Sequence, residues 1–577
     1  KMYTKETDDE TIKKMKEKGY SQNDFVGVSG IEATMEEELS GAIGTRQGKR
    51  VVEVNQKGKI MRELETSLPT PGNNVVLSID LPLQKVLETA LKNNIQEIRN
   101  RQEEAMAKTP SVYAKKVADR GGTPIQMATQ GAAIVMDVNT GEILALASYP
   151  SFDPNIFTGG ISTEDYKALT EDKSYPLFNK AVSSRAAPGS AFKMVTGLAG
   201  LMEGKMTVSK TINDESPFTT GMITGLARAP KCWIWPHCEE HQNENIEKAL
   251  KDSCNYYFFT VAYELGINLL DKWADKFGLT SKTGIELPGE VKGIIGSQKM
   301  LYDNTKPVSE QATSIPTLVR RLLIRTLKEY FKEYWKTTAE EAACDVAADE
   351  LLKLAGTEEE HGPNIRRIIN EQLHIPQTTT GYKRWDQKID SILYELQWNS
   401  TRTVVTGVGQ GITLVTPIEM VRYVAALVNG GNVLEPHLVK RVVDHEGRPV
   451  SEKTTKVVST LDAPSGYIKP ILQGMQDVVS PEDRGTAYKY FTNYKYRYMI
   501  GAKTGTAQVS KIDIENTSWF VAFAPFDRPE IAMVVYIPNG YSGGLSSLTA
   551  KDVIEYYLDN KLKIANDDTP TVGKLTE

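Results

Sequence analysis

Ser190 and Lys193 are a candidate nucleophile and base. Pro188 and Gly189 predict a turn just before Ser190, and an apolar helical pattern follows it. A serine in the first turn of a helix lies near free backbone N–H groups and the positive end of the helix dipole. Lys193, three residues later, falls on the same helix face. Because an amine held against a hydroxyl away from water can lose its proton, the pair could do nucleophilic chemistry.

The Ser-x-x-Lys spacing is weak evidence alone, because a capping serine beside a solvated lysine also has this spacing. Two later groups strengthen it. Ser253-Cys254-Asn255 interrupts a helical pattern, and Lys503-Thr504-Gly505-Thr506 lies in a predicted strand. By itself, Ser253-Cys254-Asn255 is a common loop sequence, and Lys503-Thr504-Gly505 is a common sequence at the end of a strand. Together, the three groups strengthen the interpretation of Ser190 as a nucleophile.

A group of cysteines lies just before and within the second motif. Cys232, Cys238 and Cys254 are close in sequence, whereas the fourth cysteine, Cys344, is distant. With one neighbouring histidine, the three thiols would form a closed structural zinc site that pins the Ser253 segment to the chain before it. The alternatives are a Cys232–Cys254 or Cys238–Cys254 disulfide and a set of free buried thiols.

Composition excludes some classes of function. The chain has 577 residues, 40% of them hydrophobic and 25% charged, which is ordinary for a globular protein of several domains. A net charge of −6 without a long basic run does not suggest a nucleic-acid partner. No stretch approaches the length of a transmembrane helix, and no signal peptide is visible.

The elements that position the motifs fall into two segments of one predicted unit. Residues 131–301 and 401–563 have strands at their outer ends and helices between, which predicts a sheet whose first and last segments meet. Residues 302–400 have only helical patterns and are predicted to be an insertion domain. Its apolar stripes indicate a small core of its own or, alternatively, a surface for a partner.

The flanking segments are predicted as follows. Residues 1–108 form a β-rich N-terminal unit that ends in a helix capped by Asp80. Residues 109–130 form a loop-like linker, and residues 564–577 are a polar tail.

The motif set resembles that of the penicillin-recognising acyl serine transferases. The surrounding sequence resembles class B penicillin-binding proteins, the peptidoglycan D,D-transpeptidases, over 131–154, 188–201 and 503–525, and over 26–91 for their non-catalytic pedestal. The cell-elongation type, penicillin-binding protein 2, is the nearest group, and septal or sporulation members are the alternative. The resemblance implies an α/β (α+β) multidomain protein. Its transpeptidase fold, an antiparallel sheet flanked by helices, would follow a β-rich pedestal and carry an all-helical insertion.

The resemblance implies roles in acylation for the first two motifs. Ser190 would attack the penultimate D-alanine carbonyl of a stem peptide, and Lys193 would take its proton. Burial and the charge of Lys503 would lower the pKa of Lys193. Ser253 would relay the proton to the leaving nitrogen, and Asn255 would hold Lys193 and the substrate amide.

The third motif would bind the substrate carboxylate. In the resemblance, Lys503, Thr504 and Thr506 contact the terminal carboxylate, with Gly505 between them in the motif. The backbone N–H groups of Ser190 and Thr506 would form the oxyanion hole.

The resemblance also orders the candidate metal ligands. The family often has a histidine at the position of His241, which makes His241 the preferred fourth ligand beside Cys232, Cys238 and Cys254. His237 is the alternative ligand, although its neighbour Cys238 would crowd it. Family members often have counterparts of Cys232 and Cys254, whereas Cys238 departs from their pattern.

The predicted function is a monofunctional peptidoglycan D,D-transpeptidase that β-lactams inhibit by acylating Ser190. Its partners would be stem peptides ending in D-Ala-D-Ala, β-lactams and membrane proteins of cell elongation, with no nucleic acid and no organic cofactor. We expect the extracytoplasmic face of the cell membrane, with an anchor upstream of Lys1. The alternatives are a D,D-carboxypeptidase, which transfers the acyl group to water, and a non-enzymatic β-lactam sensor or scaffold.

Overall fold

A computed structural model describes residues 9–20, 24–43, 46–158, 160–221, 229–357, 361–376, 383–510 and 512–563. The predicted polar tail, 564–577, lies outside these residues. Within them, no helix combines the length and the apolar character that a membrane crossing requires.

The N-terminal unit is smaller than predicted. It contains helices α1 (Asp9–Glu17), α2 (Gly30–Thr34) and α3 (Glu36–Leu39) and strands β1 (Lys49–Val54), β2 (Ile60–Ser67) and β3 (Asn74–Leu77). β1 and β2 form an antiparallel hairpin. β3 pairs with a strand from far along the chain, Val439–Val443, so the unit is tied to the second segment of the chain.

Helix α4 (Leu81–Lys108) corrects the predicted N-terminal boundary. Asp80 accepts a hydrogen bond from the backbone N–H of Leu83 at 3.1 Å, which confirms the predicted cap. Leu87 and the neighbouring apolar positions of α4, however, lie in the same core as the central sheet. The helix therefore belongs with the catalytic unit and not with the pedestal. The loop predicted after it is wrong in part, because α5 (Pro110–Asp119) uses proline as its first residue, where no N–H is required.

The catalytic unit is assembled from two segments. The first contains β4 (Gly131–Asp137), β5 (Ile143–Tyr149), α6 (Thr163–Glu171), α7 (Lys180–Ser183), α8 (Lys193–Met202), α9 (Ile246–Lys251), α10 (Asn255–Lys276) and α11 (Gln298–Leu301). The insertion contains α12 (Ile315–Trp335), α13 (Glu341–Leu352), α14 (His361–Leu373) and α15 (Lys383–Leu393). The second segment contains α16 (Ser400–Gly407), α17 (Pro417–Val428), β6 (Asn432–Leu434), β7 (Val439–Val443), β8 (Pro449–Glu452), β9 (Val457–Thr460), α18 (Ser465–Asp477), α19 (Tyr488–Phe491), β10 (Gly501–Ala507), β11 (Thr517–Ala524), β12 (Ile531–Ile537) and α20 (Ser547–Asn560).

The central sheet has five antiparallel strands in the order β10-β11-β12-β4-β5. β12 pairs with β4, so the first and last segments meet as predicted. Side chains of β11 alternate between two cores: Trp519 and Val521 face α8 and α10, whereas Phe520 and Ala522 face α4 and α20. Because both faces are covered, the inner strands β4, β11 and β12 are mostly continuous apolar runs rather than alternating ones.

The insertion has its own apolar core, formed by side chains of α12 to α15 such as Leu327, Leu351 and Ile369. Its two ends lie together. The side-chain amide of Gln298 donates to the carbonyls of Tyr302, at 3.2 Å, and Leu396, at 3.0 Å. The insertion thus leaves and re-enters the catalytic unit at one place.

Candidate active site

Ser190 lies in a 3-10 turn, Gly189–Phe192, that leads directly into α8. Gly189 has a φ of +54°, and an added Cβ would lie 2.6 Å from the carbonyl oxygen of Thr506. Only glycine lets the turn approach β10 this closely. The backbone N–H of Gly189 also donates to Gly409 at 2.8 Å. The nucleophile turn is therefore held between strand β10 and the loop before α17.

Lys193 is fully buried, and its amine faces the second motif. Its Nζ donates to the carbonyl of Ser253 at 2.7 Å, to Ser253 Oγ at 3.1 Å and to Asn255 Oδ1 at 2.7 Å. Among the hydrogen bonds of the described residues, none joins Lys193 to Ser190. The first two motifs are thus brought together as predicted, with the amine bonded to Ser253 and not to the nucleophile.

Ser253 occupies the turn between α9 and α10. Its φ of +54° is in the left-handed region, which costs free energy for a residue with a side chain. This conformation places its hydroxyl within 2.9 Å of Lys503 Nζ as well as 3.1 Å from Lys193 Nζ. One hydroxyl therefore bridges two buried amines.

The two amines cannot both hold a proton easily. Burial lowers the pKa of Lys193 to about 8. Burial, together with the charge of Lys193, lowers the pKa of Lys503 well below its usual value. Two like charges in contact with one hydroxyl disfavour each other, so the pair titrates as a unit with a neutral amine available near neutral pH.

The third motif forms edge strand β10. An added Cβ on Gly505 would lie 2.6 Å from the carbonyl of Pro188, so the strand and the nucleophile turn are in close contact. Thr506 Oγ1 accepts from the backbone N–H of Gly543 at 2.9 Å. Thr504 Oγ1 is 3.0 Å from Thr486 Oγ1, a hydroxyl that sequence motifs did not identify.

A cleft of about 1390 Å³ joins these residues, and Ser190, Ser253, Asn255, Thr504 and Thr506 lie in its wall. Five cations and three carboxylates also line it: Lys231, Lys248, Lys251, Arg484 and Lys489, and Glu240, Asp252 and Asp483. The whole chain has a net charge of −6, so the cleft is locally more positive than the rest of the protein. Such a cleft attracts anionic ligands.

A second group of buried side chains lies behind the cleft. The ligand atoms of Asp214, Cys232, His241 and Cys254 all lie within 4.8 Å of one another. Cys232 Sγ is 3.4 Å from His241 Nδ1, and Asp214 Oδ2 is 3.8 Å from the same nitrogen. Hydrogen bonds from Cys254 and His241 lower the pKa of the Cys232 thiol well below its usual value.

The chemistry of this group fits a metal ion. Asp214 Oδ2 is buried and has no hydrogen-bond partner, which is costly unless an ion or proton occupies the site. Burial raises the pKa of Asp214 to about 6. Thiolate, imidazole and carboxylate are the ligands that zinc takes in proteins.

This group differs from the predicted ligand set at one position. Cys238 lies outside the group, in a partly exposed turn, and Asp214 takes its place. His241 is in the group, whereas the alternative ligand His237 is exposed. The backbone N–H of Asp214 donates to the carbonyl of His241 at 2.9 Å, and this hydrogen bond brings Asp214 into the group. The spacing of the cysteines could not reveal this long-range pairing. All four cysteines are described and are free thiols, so neither disulfide alternative is present.

Comparison with protein families agrees with this architecture. A penicillin binding protein transpeptidase domain matches residues 131–315 and 373–555, and a penicillin-binding protein dimerisation domain matches residues 3–77. Because the transpeptidase match covers more than half of the chain, the chain belongs to the penicillin-binding protein transpeptidases. The dimerisation match ends before α4, as the packing of α4 on the sheet requires.

Individual relatives match over nearly the whole chain. The chain is 25% identical to the peptidoglycan D,D-transpeptidase MrdA of Escherichia coli strain K12, over 96% of this chain and 69% of the relative. It is 26% identical to MrdA of Acinetobacter baumannii, over 97% of this chain and 64% of the relative. A crystal structure of Pseudomonas aeruginosa PBP2 in complex with WCK 5153 matches with a TM-score of 0.61 at 23% identity, over 98% of this chain and 89% of that chain. This likeness shows the fold.

Proposed function

We propose that this protein is a monofunctional peptidoglycan D,D-transpeptidase that cross-links stem peptides through an ester on Ser190. The observation that carries the proposal is the Ser253 hydroxyl, which lies 3.1 Å from Lys193 Nζ and 2.9 Å from Lys503 Nζ in the cleft that contains Ser190. It is supported by the activity named for the MrdA relatives.

Acylation would proceed as follows. Ser190 Oγ attacks the carbonyl of the penultimate D-alanine, and its proton passes to the neutral amine of Lys193. The C–N bond to the terminal D-alanine breaks, and its nitrogen takes a proton through the Ser253 hydroxyl. The result is an ester on Ser190 and free D-alanine. With a β-lactam, attack on the ring carbonyl would break the ring C–N bond and leave the opened drug as an ester on Ser190.

The substrate would be aligned by β10. Lys503, Thr504 and Thr506 would hold the terminal carboxylate, and the backbone N–H groups of Ser190 and Thr506 would stabilise the oxyanion. Loss of one such donor typically costs about 3 kcal/mol of transition-state stabilisation. The positive charge along the cleft suits a peptide that carries carboxylates.

The assignment of Ser190 is tested with a fluorescent penicillin. The parent protein should be labelled covalently, and Ser190→Ala should not. Ser391→Ala is a matched control, because Ser391 is an exposed serine in the insertion. An unlabelled parent, or equal labelling of Ser190→Ala, would overturn the proposal.

Transfer to an amine is separated from hydrolysis by a second experiment. In the last step an acceptor amine attacks the ester and regenerates Ser190, whereas attack by water would give a carboxypeptidase. We expect a thioester analogue of the stem peptide to yield an exchange product when a D-amino acid is added. Hydrolysis product alone would favour the carboxypeptidase, and no turnover after normal labelling would favour a sensor.

We further propose that Asp214, Cys232, His241 and Cys254 hold a structural zinc ion. The support is the proximity of the four ligand atoms and the buried Asp214 oxygen that has no hydrogen-bond partner. The ion would join the segment before α9 to the turn that contains Ser253, and it would take no part in the reaction. A closed set of four protein ligands is typical of structural zinc.

Metal analysis of protein purified without chelators tests the zinc site. We expect one zinc per chain in the parent and in Cys238→Ser, and little in Cys254→Ser or Asp214→Asn. Removal of zinc should lower the melting temperature. A parent without zinc, or a Cys238→Ser protein that loses zinc as Cys254→Ser does, would contradict this ligand set.

We also propose that the protein acts at the cell membrane with cell-elongation proteins. The support for the partner is one similar structure, a complex between PBP2 and MreC from Helicobacter pylori, with a TM-score of 0.61 at 22% identity, over 96% of this chain and 76% of that chain. Co-purification with the MreC protein of the same organism tests the partner, with the isolated insertion as the control bait. Retention of MreC by the insertion alone would place the contact on the insertion.

A further inference from the structure

Trp233 is the one tryptophan whose indole contacts the backbone of the Ser253 turn among the described residues. Its side chain lies in the wall of the cleft and is 59% exposed. Its Nε1–H donates to the carbonyl oxygens of Asp252 at 3.2 Å and Ser253 at 3.1 Å. More than half of this side chain is exposed, and the two hydrogen bonds join it to the backbone of the Ser253 turn.

The Ser253 carbonyl is shared between two donors. It accepts from Trp233 Nε1 and from Lys193 Nζ, the latter at 2.7 Å. The same residue has the left-handed φ of +54°, which is unfavourable unless surrounding contacts impose it. The two donors fix the orientation of this peptide group, and with it the direction of the Ser253 hydroxyl.

The neighbour of Trp233 holds the other end of the turn. Cys232 Sγ accepts a hydrogen bond from the backbone N–H of Asn255 at 3.2 Å. The Cys232-Trp233 dipeptide thus contacts both ends of the Ser253-Cys254-Asn255 motif. The Trp233 ring also contacts the His241 ring edge-to-face, with centroids 5.7 Å apart.

We infer that Trp233 is a positioning residue for the transpeptidase reaction, holding the Ser253 turn so that its hydroxyl stays between Lys193 and Lys503. The inference rests on the proposed function. Trp233 acts through the backbone of Ser253 and touches none of the reacting atoms. Replacing its N–H should therefore slow the acylation step without weakening the initial binding of a β-lactam.

Trp235 supplies a matched control. It lies two residues away, is 45% exposed, and stacks its ring over Lys231 Nζ at 3.5 Å. Its indole nitrogen makes no hydrogen bond to any residue that the structure describes. Trp233→Phe and Trp235→Phe therefore remove the same atoms from the same loop, but only the first removes bonds to the Ser253 turn.

The experiment uses stopped-flow acylation of the whole chain by a fluorescent penicillin, which separates the binding constant from the first-order acylation rate constant. We expect Trp233→Phe to lower the acylation rate constant about tenfold, the upper range of what a neutral hydrogen bond contributes, and to leave the binding constant within about twofold. Trp235→Phe should match the parent in both. The zinc content and melting temperature of each variant are measured alongside.

Each outcome either supports the positioning role of Trp233 or overturns a proposal. A selective loss of the acylation rate constant, with zinc and melting temperature unchanged, supports the inference. An unchanged rate constant overturns it, and so does a loss that accompanies lost zinc, a fallen melting temperature or failure to fold, because Trp233 would then support the fold only. A parent protein that penicillin does not acylate overturns the proposed function instead.

Discussion

The proposed role of Lys193 as the base for Ser190 depends on pH. Burial lowers its pKa to about 8, even though Cys232, Cys254 and Glu244 lie near enough to raise it, and Lys503 faces it across the Ser253 hydroxyl. Lys193 is mostly protonated below that value and mostly neutral above it, and Lys503 titrates together with it. Only the neutral form can take the proton of Ser190.

The rate of acylation should therefore rise with pH. We expect the second-order rate constant for a penicillin to increase about tenfold per pH unit below about pH 8 and to level off above it. Lys193→Arg should be nearly inactive throughout, because a guanidinium stays protonated. Stopped-flow measurements across this range check the prediction, and a flat profile in the parent would contradict it.

Ser253 combines a hydroxyl that bridges two buried amines with a costly backbone conformation. Its φ of +54° suits glycine better than serine or alanine. We expect Ser253→Gly and Ser253→Ala to lose acylation equally, by about a hundredfold or more, because both lack the hydroxyl. Ser253→Gly should be more stable than Ser253→Ala by about 1–2 kcal/mol of unfolding free energy. Denaturant unfolding measures this difference, and equal stabilities would show that the turn is not strained.

At the scale of elements, the reaction depends on the contact between the nucleophile turn and β10. Gly189 and Gly204 lie before and after α8, with φ values of +54° and +67°. An added Cβ at Gly189 would meet the Thr506 backbone, whereas at Gly204 nothing lies within 4 Å. A substitution by alanine thus strains the backbone at both positions. Only the substitution at Gly189 also pushes the nucleophile turn away from β10.

Gly189→Ala and Gly204→Ala should accordingly differ in activity. We expect each to lose about 1–2 kcal/mol of stability from the left-handed backbone. Gly189→Ala should also lose most acylation by penicillin, because the oxyanion donors of Ser190 and Thr506 move apart. Labelling rates and melting temperatures test this, and equal labelling of the two variants would count against a rigid contact at β10.

The sequence predicted those elements whose causes are local. The Asp80 cap, the break between α9 and α10, and the apolar strands β11 and β12 follow from residue types over a few positions. α5 was missed because proline ends one helix and begins the next, and the same residue types would also fit a loop. The packing of α4 on the sheet depends on which surface its apolar face meets, and periodicity does not specify that.

The residues of the site divide in the same way, into those that a local sequence pattern identifies and those that only long-range contacts bring in. Ser190, Lys193, Ser253, Asn255 and Lys503 could be identified because their motifs are short and ordered. Three others have no such pattern and depend on contacts between distant segments: Asp214, Trp233 and Thr486. Cys238 was chosen as a ligand by sequence proximity, but its partly exposed turn places it outside the group that Asp214 completes.

For the whole molecule, the insertion is a separate body attached at one place. Its core is formed by its own helices, and Gln298 contacts both of its ends. The catalytic unit begins again at Trp398, whose backbone N–H donates to Gln298 Oε1 at 2.8 Å and whose indole donates to Thr403 Oγ1 at 2.9 Å. Thr401 and Val405, in the helix that follows, line the cleft.

Removal of the insertion should therefore leave the chemistry intact. We expect deletion of 303–395, with a short glycine-serine linker, to change the rate constant for acylation by penicillin by no more than about twofold. Trp398→Ala, by contrast, should slow acylation, because Trp398 packs against Gly296 and positions the helix that lines the cleft. If the deleted protein folds but no longer reacts with penicillin, the insertion supports the catalytic fold. If it reacts normally yet no longer supports growth in the shape of the parent cell, the insertion serves partners instead.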